Sequence, residues 1–307
     1  MNKLNQPIFQ PKCKEHYNIA HSTKRMYDNL IYSFLYFSLQ TYLFFAIQPF
    51  FRREKSMLSD GWFPCDWKIS PNYEIIFAFQ NFVIFSNTFT CITLDILSAG
   101  LLIQIGLQCD YLVVTLNCLE KFSVENGILR QRDESSVDLN DKDFQTFSRV
   151  MTSNLIVCIE HYKQIKTLSK EIEKFHETSI FVLFFGGEVL ICCSLYQMSV
   201  VPIMTIEFFM VISFVIAALM EQFVYCWFGN DIIHKSSKIS DAIYNTPWIE
   251  CDLQYKKILL NFLIQTKFPI EIWVGRLFSM SIPVFKWIVQ SSYSGFALLK
   301  NVQDKKN

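Results

Sequence analysis

The stretch TSIFVLFFGGEVLICCSLYQMSVVPIMTIEFFMVISFVIAALMEQFVYCWFGN, Thr178 to Asn230, decides the fold. Its 53 residues contain three charged groups, Glu188, Glu207 and Glu221. One bilayer crossing takes roughly 20 predominantly apolar residues, so the stretch is too long for a single span. Ser199, Val200 and Pro202 offer a tight break near its middle, because proline cannot continue a helix. The expectation is two membrane helices, about 178–200 and 203–228.

Similar runs lie on both sides. Leu30 to Phe51 has no charge across 22 positions, and Ile75 to Leu94 is clean for 20, with apolar character continuing past Asp95 to about Leu107. Leu277 to Leu299 carries Lys286 alone. Spans are therefore expected at about 30–51, 75–97, 178–200, 203–228 and 277–299. A buried helix of a soluble protein usually shows an apolar stripe beside a polar face, whereas these runs are apolar all round. Composition agrees: 51% of the residues are hydrophobic and 18% charged, against about 25% charged in an average soluble domain. The 28 basic and 28 acidic residues cancel, which gives no pull toward nucleic acid or a polyanionic substrate. The fold class is all-α, a polytopic membrane protein of five transmembrane helices with long cytoplasmic helical extensions.

Positive charge sets the orientation. With the N-terminus inside, the inner segments hold 20 Lys and Arg and the outer ones 7. An excess of Lys and Arg marks the cytoplasmic side. Residues 1–27 are polar and lack the apolar core of a signal peptide. The domain plan is a cytoplasmic segment 1–27, a transmembrane domain 28–300 with cytoplasmic regions at about 108–177 and 229–275, and a short extracellular tail 301–307. The ten cysteines show no CxxC or zinc spacing. A disulfide involving Cys65, Cys192 or Cys193 stays open beside the reading of free buried thiols.

Two segments outside the spans have helical periodicity. From Phe144 through Met151, Leu155, Tyr162, Ile165 and Ile172 to Phe175, apolar residues recur on one face with charges opposite. This predicts a long helix over 141–177 that runs directly into the third span. Residues 121–140 are polar and charge-rich, the composition of a flexible loop. Residues 251–270 form another candidate helix, with Leu253, Ile258, Leu259, Phe262 and Leu263 on one side and Pro269 at its end. Such helices either pack into an intracellular domain or lie solvated on the membrane surface, and periodicity does not decide between them.

Four motifs in order carry a resemblance: GWFPCDWKISPNYEIIFAFQ (Gly61–Gln80), EHYKQIKTLSKEIEKF (Glu160–Phe175), FGNDIIHKSSKISDAIYNTPW (Phe228–Trp248) and FSMSIPVFKWIVQSSYSGFALLK (Phe278–Lys300). Together they resemble the insect odorant receptors, over about residues 28–300. Members of that family have seven helices and an inverted topology. The first span here aligns with their third, so the first two helices are expected to be missing, as in a truncated gene model, partial transcript or splice form. Gly295 also departs, standing where relatives often carry a bulky residue.

The resemblance implies a subunit of a ligand-gated cation channel: the odorant-tuned subunit of a tetramer shared with an obligate co-receptor, in the plasma membrane of sensory dendrites. Its last helix would line the pore with Tyr293, Phe296 and Leu299. Its odorant pocket would keep walls from Tyr42, Phe45 and Phe50, from Tyr73, Phe77 and Phe79, and from Phe208 and Phe209. An aromatic, nearly uncharged cavity suits small volatile apolar ligands. The same residues also fit an interfacial aromatic belt or a lipid-facing surface.

Glu188 and Lys286 lie deep in their spans, while Glu207 and Glu221 lie nearer helix ends. Ionisable groups in the membrane are costly and often functional, so an ion-permeation role is open for them. Walker, GxSxG and HExxH motifs are absent and the five His are dispersed, so no enzyme, metal centre or cofactor is expected. Gly186-Gly187 fits close helix packing. A G-protein-coupled chemoreceptor would need an outside N-terminus, against the charge count, and a transporter would need an inverted repeat. A non-functional or regulatory receptor fragment is a further alternative.

Overall fold

The computed structural model describes residues 7–51, 62, 66, 69–119 and 141–305, with the side chains of 45, 47–51, 141–146 and 304 left aside. Cys65, the side chain of Phe50, most of the first eight residues of the Gly61–Gln80 motif and the 121–140 loop fall outside these described residues. Among the described residues, six α-helices carry the fold: α1 Lys14–Phe51, α2 Asn72–Asn117, α3 Asp141–Val200, α4 Ile206–Tyr244, α5 Leu253–Thr266 and α6 Ile282–Asp304. The protein is all-α and polytopic in character. Among the described residues, α2, α4 and Phe147–Val200 of α3 are long and apolar enough to cross a membrane.

The expected continuity of the cytoplasmic helix with the third span appears as one unbroken 60-residue helix, α3. Its end at Val200 and the start of α4 at Ile206 put the break where Pro202 stands. Helix α1 begins inside the 1–27 segment, and α6 continues through Asp304 into the expected tail.

The chain divides into two compact units. The first comprises Met1–Arg25, Leu101–Glu177 and Phe228–Met280. It gathers the segments that charge counting assigns to one side, and it is packed rather than a set of solvated helices. Leu155, Ile165, Ile239, Ile243, Tyr255 and Phe262 are fully buried in it. The amphipathic stripe of α3 turns inward at Met151, Leu155, Tyr162, Ile165 and Ile172, but Phe175 is 74% exposed. Helix α5 starts after Asp252, whose side chain accepts a hydrogen bond from the Tyr255 amide at 2.8 Å, the arrangement of an N-cap. It buries Leu259 and Phe262 as expected, while Leu253 lies exposed.

A hairpin interrupts the expected last span. Trp273–Val274 (β1) pairs antiparallel with Phe278–Ser279 (β2), so α6 begins at Ile282 rather than at 277. Ile270, Ile272 and Val274 are buried, the period-two pattern of a half-buried strand. Gly275 and Arg276 both have positive φ, 55° and 59°, the backbone of a type I′ hairpin turn.

The second unit comprises Met26–Gly100, Thr178–Trp227 and Ser281–Asn307. Its large apolar side chains point outward, including Tyr36 on α1, Phe82 and Phe89 on α2, Phe185 on α3, and Trp287 and Leu298 on α6. Monomeric soluble proteins rarely expose contiguous apolar patches of this kind. A hydrocarbon environment accounts for them.

Candidate functional site

The expected pocket residues lie on three helices of the second unit. Tyr42 on α1 is half-buried and packs edge-to-face on Phe85 of α2, with ring centroids 5.5 Å apart. One residue away, the Thr41 hydroxyl lies 3.4 Å from that of Ser213 on α4, which joins α1 to α4 at this level. Phe208 and Phe209 open α4 about one turn earlier, their rings T-shaped at 6.0 Å. Phe208 is half-buried and Phe209 47% exposed. Tyr73 and Phe77, both half-buried, stack at 5.9 Å in the first turns of α2, while Phe79 is 63% exposed. The side chain of Phe45 lies outside the described residues.

Helix α6 has two different faces. Ile288 and Ser292 are buried. On that side Ser291 donates to the Glu188 carboxyl group of α3 at 2.5 Å, and Ser292 to the Glu188 carbonyl at 3.3 Å. Further along, the Tyr196 hydroxyl of α3 donates to Gln303 at 2.5 Å. From α4, Phe223 meets Phe285 edge-on at 5.3 Å. Tyr293 and Leu299 are 64% and 41% exposed, and Phe296 is half-buried. Successive helical residues turn by about 100°, so Tyr293, Phe296 and Leu299 spread over about a third of the helix circumference rather than along one line. Tyr293 and Phe296 remain in contact, at 6.0 Å.

A polar cluster between α2 and α4 escaped the sequence analysis, where Asp95 counted only as an interruption of an apolar run. Tyr225 donates to the Asp95 carboxylate at 2.9 Å, and Asp95 also hydrogen-bonds Glu221. The available signal was two carboxylates on separate apolar runs, since intramembrane ionisable groups generally find partners. Gly187 admits the amide of Gln222 from α4, and a β-carbon there would collide with it. The Gly186-Gly187 pair thus serves close packing at its second member.

Polar contacts also hold the first unit together. Gln108 donates to the Phe9 carbonyl at 3.1 Å, and its amide oxygen lies 3.0 Å from His161 Nε2. Burial, with a contribution from nearby Lys12, lowers the His161 pKa to about 4. Neutral imidazole can then donate to Gln108. Lys235 bridges Asp110 at 2.8 Å and Asp231 at 3.0 Å. Arg276 at the hairpin tip reaches Glu177 at 3.3 Å. Among the described residues, no group of three or more His, Cys, Asp or Glu could hold a metal ion.

Comparison with known proteins places this architecture. The profile of the family described as "7tm Odorant receptor" matches residues 1–293. Odorant receptor Or1 of Anopheles gambiae is 22% identical across 99% of this chain and 74% of its own length. Odorant receptor 94a of Drosophila melanogaster is 23% identical over 78% of this chain and 57% of its own length, and odorant receptor 10 of Aedes albopictus 28% over 48% and 39%. The chain thus spans part of the length of the relatives it matches. The olfactory receptor OR5 of Machilis hrabei superposes with a TM-score of 0.78, at 14% identity over 98% of this chain and 74% of OR5. The same receptor in complex with eugenol gives 0.77, at 13% identity over 93% and 69%. At these identities the structures support the fold, and the profile match across nearly the whole chain supplies the family: the chain belongs to the insect odorant receptors.

Proposed function

We propose that the chain is the odorant-tuned subunit of a ligand-gated cation channel that works with an obligate co-receptor in the plasma membrane of sensory dendrites. The carrying observation is the division of α6. One face is fastened to α3 and α4, while Tyr293 on the opposite side stands open. In a symmetric or pseudosymmetric assembly, the open side would meet the central pore and neighbouring subunits. Phe296 and Leu299 would form its apolar constriction, which gates by dewetting.

Helices α1 and α6 join α2, α3 and α4 as membrane spans in this reading, with the N-terminus cytoplasmic and the C-terminus outside. The excess of inner Lys and Arg supports that orientation. Tyr42, Phe45, Tyr73, Phe77, Phe208 and Phe209 supply the aromatic wall for a volatile apolar ligand. The Thr41–Ser213 contact supports the approach of two of these walls.

The test is expression with the co-receptor in cells and whole-cell recording against a panel of volatile odorants. Odorant-evoked, non-selective cation current that neither subunit gives alone is the expected result. Surface expression of the pair without any such current would favour the alternative, a regulatory or non-functional short form.

A further inference from the structure

We propose that Glu188 is the positioning residue of the pore helix, and that its bond to Ser291 holds α6 on α3 in the resting receptor and breaks on opening. This rests on the channel reading above.

One residue of α3 holds two successive residues of α6. The Ser291 hydroxyl donates to the Glu188 carboxyl oxygen at 2.5 Å, and Ser292 donates to the Glu188 carbonyl at 3.3 Å. One helical turn on, Gly295 lies over Cys192, where an added β-carbon would stand 3.0 Å from the sulfur. At this level α6 presents only small residues, Ser291, Ser292 and Gly295, to α3. Such helix faces approach closely, but they lack the interlocking of large side chains that would fix one register. Polar contacts to α3 hold the register here, those of Glu188 at this level and that of Tyr196 with Gln303 further along.

The polar bond supplies the resistance. A hydroxyl–carboxyl contact in a half-buried membrane site has little water to replace it, so losing it is costly. A ligand can open the seam only by the difference in its interaction with the two states. The strength of the Glu188–Ser291 bond therefore contributes directly to how readily the pore helix leaves its resting place.

The full chain with its co-receptor is compared with Ser291→Ala, Ser291→Thr and Glu188→Ala forms at matched surface expression. The first readout is alkylation by N-ethylmaleimide in native membranes, scored by peptide mass spectrometry at half-buried Cys192 against its exposed neighbour Cys193. The second is odorant-independent cation current. Ser291→Ala should raise both the Cys192-to-Cys193 labelling ratio and the resting current about fivefold, the effect of losing one modest hydrogen bond. Ser291→Thr keeps the hydroxyl and should match the parent, and Glu188→Ala should follow Ser291→Ala. An unchanged labelling ratio in Ser291→Ala overturns the proposal, whatever the current does. A raised ratio without odorant-evoked current in any form, parent included, supports the positioning role and overturns the channel reading.

Discussion

Gly229 of α4 lies directly against the carbonyl group of Met280, so closely that a β-carbon at position 229 would collide with it. The Met280 backbone has little freedom to yield, because its amide donates to the Ile272 carbonyl at 2.8 Å and its side chain is fully buried. The glycine of the Phe-Gly-Asn motif is thus needed to seat the hairpin on α4.

Gly229→Ala should therefore destabilise the first unit by about 1–3 kcal/mol through overpacking. Gly186→Ala is the control, since nothing approaches within 4 Å of a β-carbon there, and it should be neutral or slightly stabilising. Thermal unfolding of the purified receptor in detergent, followed by a thiol-reactive dye, would separate the two. Equal melting temperatures would show that the hairpin backbone yields.

Acidification should loosen the first unit through His161. Its folded-state pKa is lowered from 6.5 to about 4, chiefly by burial. The associated stability is fully present above pH 6.5 and is lost as the pH falls toward 4, because the unfolded chain takes up the proton first. The loss between pH 6.5 and 5 is on the order of 2 kcal/mol. His161→Asn should flatten the melting profile over that interval, even if it lowers stability at pH 7.5. A variant profile as steep as the parent's would place the acid sensitivity in other groups, among them His16, whose pKa burial also lowers.

The Asp110–Lys235–Asp231 triad gives a third test. All three side chains are largely buried, with 18% to 28% exposure. Lys235→Met would leave two carboxylates facing each other without their cation, at a cost of roughly 2–4 kcal/mol. Combining it with Asp110→Asn should recover part of that loss. If the two losses simply add in a double-mutant cycle, the pair contributes no coupling.

Much of the helical plan could be read from the sequence because it depends on long runs. The 53 residues from Thr178 exceed one span, Pro202 marks the break, and the stripe from Met151 to Ile172 has one period throughout. The hairpin was harder to read. Ile270, Ile272 and Val274 alternate over too few residues to compete with the apolar run that begins at Leu277, and Gly275 and Arg276 declare the turn only through their φ angles. Phe175 fits the period of its helix yet faces outward, since periodicity names a face and not where packing along it ends. At the candidate site, Tyr225 and Asp95 are 130 residues apart, and their pairing depends on the packing of α2 against α4. Ser291 and Glu188 depend in the same way on α6 and α3.

The aromatic wall supplies the last prediction. Tyr42 and Phe208 are half-buried within the second unit, whereas Leu94 on α2 is 57% exposed. If Tyr42 and Phe208 touch the odorant, removing either ring deletes apolar contact area worth about 1.5 kcal/mol or more. Tyr42→Ala and Phe208→Ala should then raise the half-maximal odorant concentration by about tenfold or more, since 1.4 kcal/mol is a factor of ten in affinity. Leu94→Ala should leave it unchanged. The discriminating measurement is the response to an agonist of the co-receptor, recorded in the same cells. That response should persist in all three variants, because their pore helices are intact. If it falls in parallel with the odorant response, Tyr42 and Phe208 support assembly of the channel rather than the ligand.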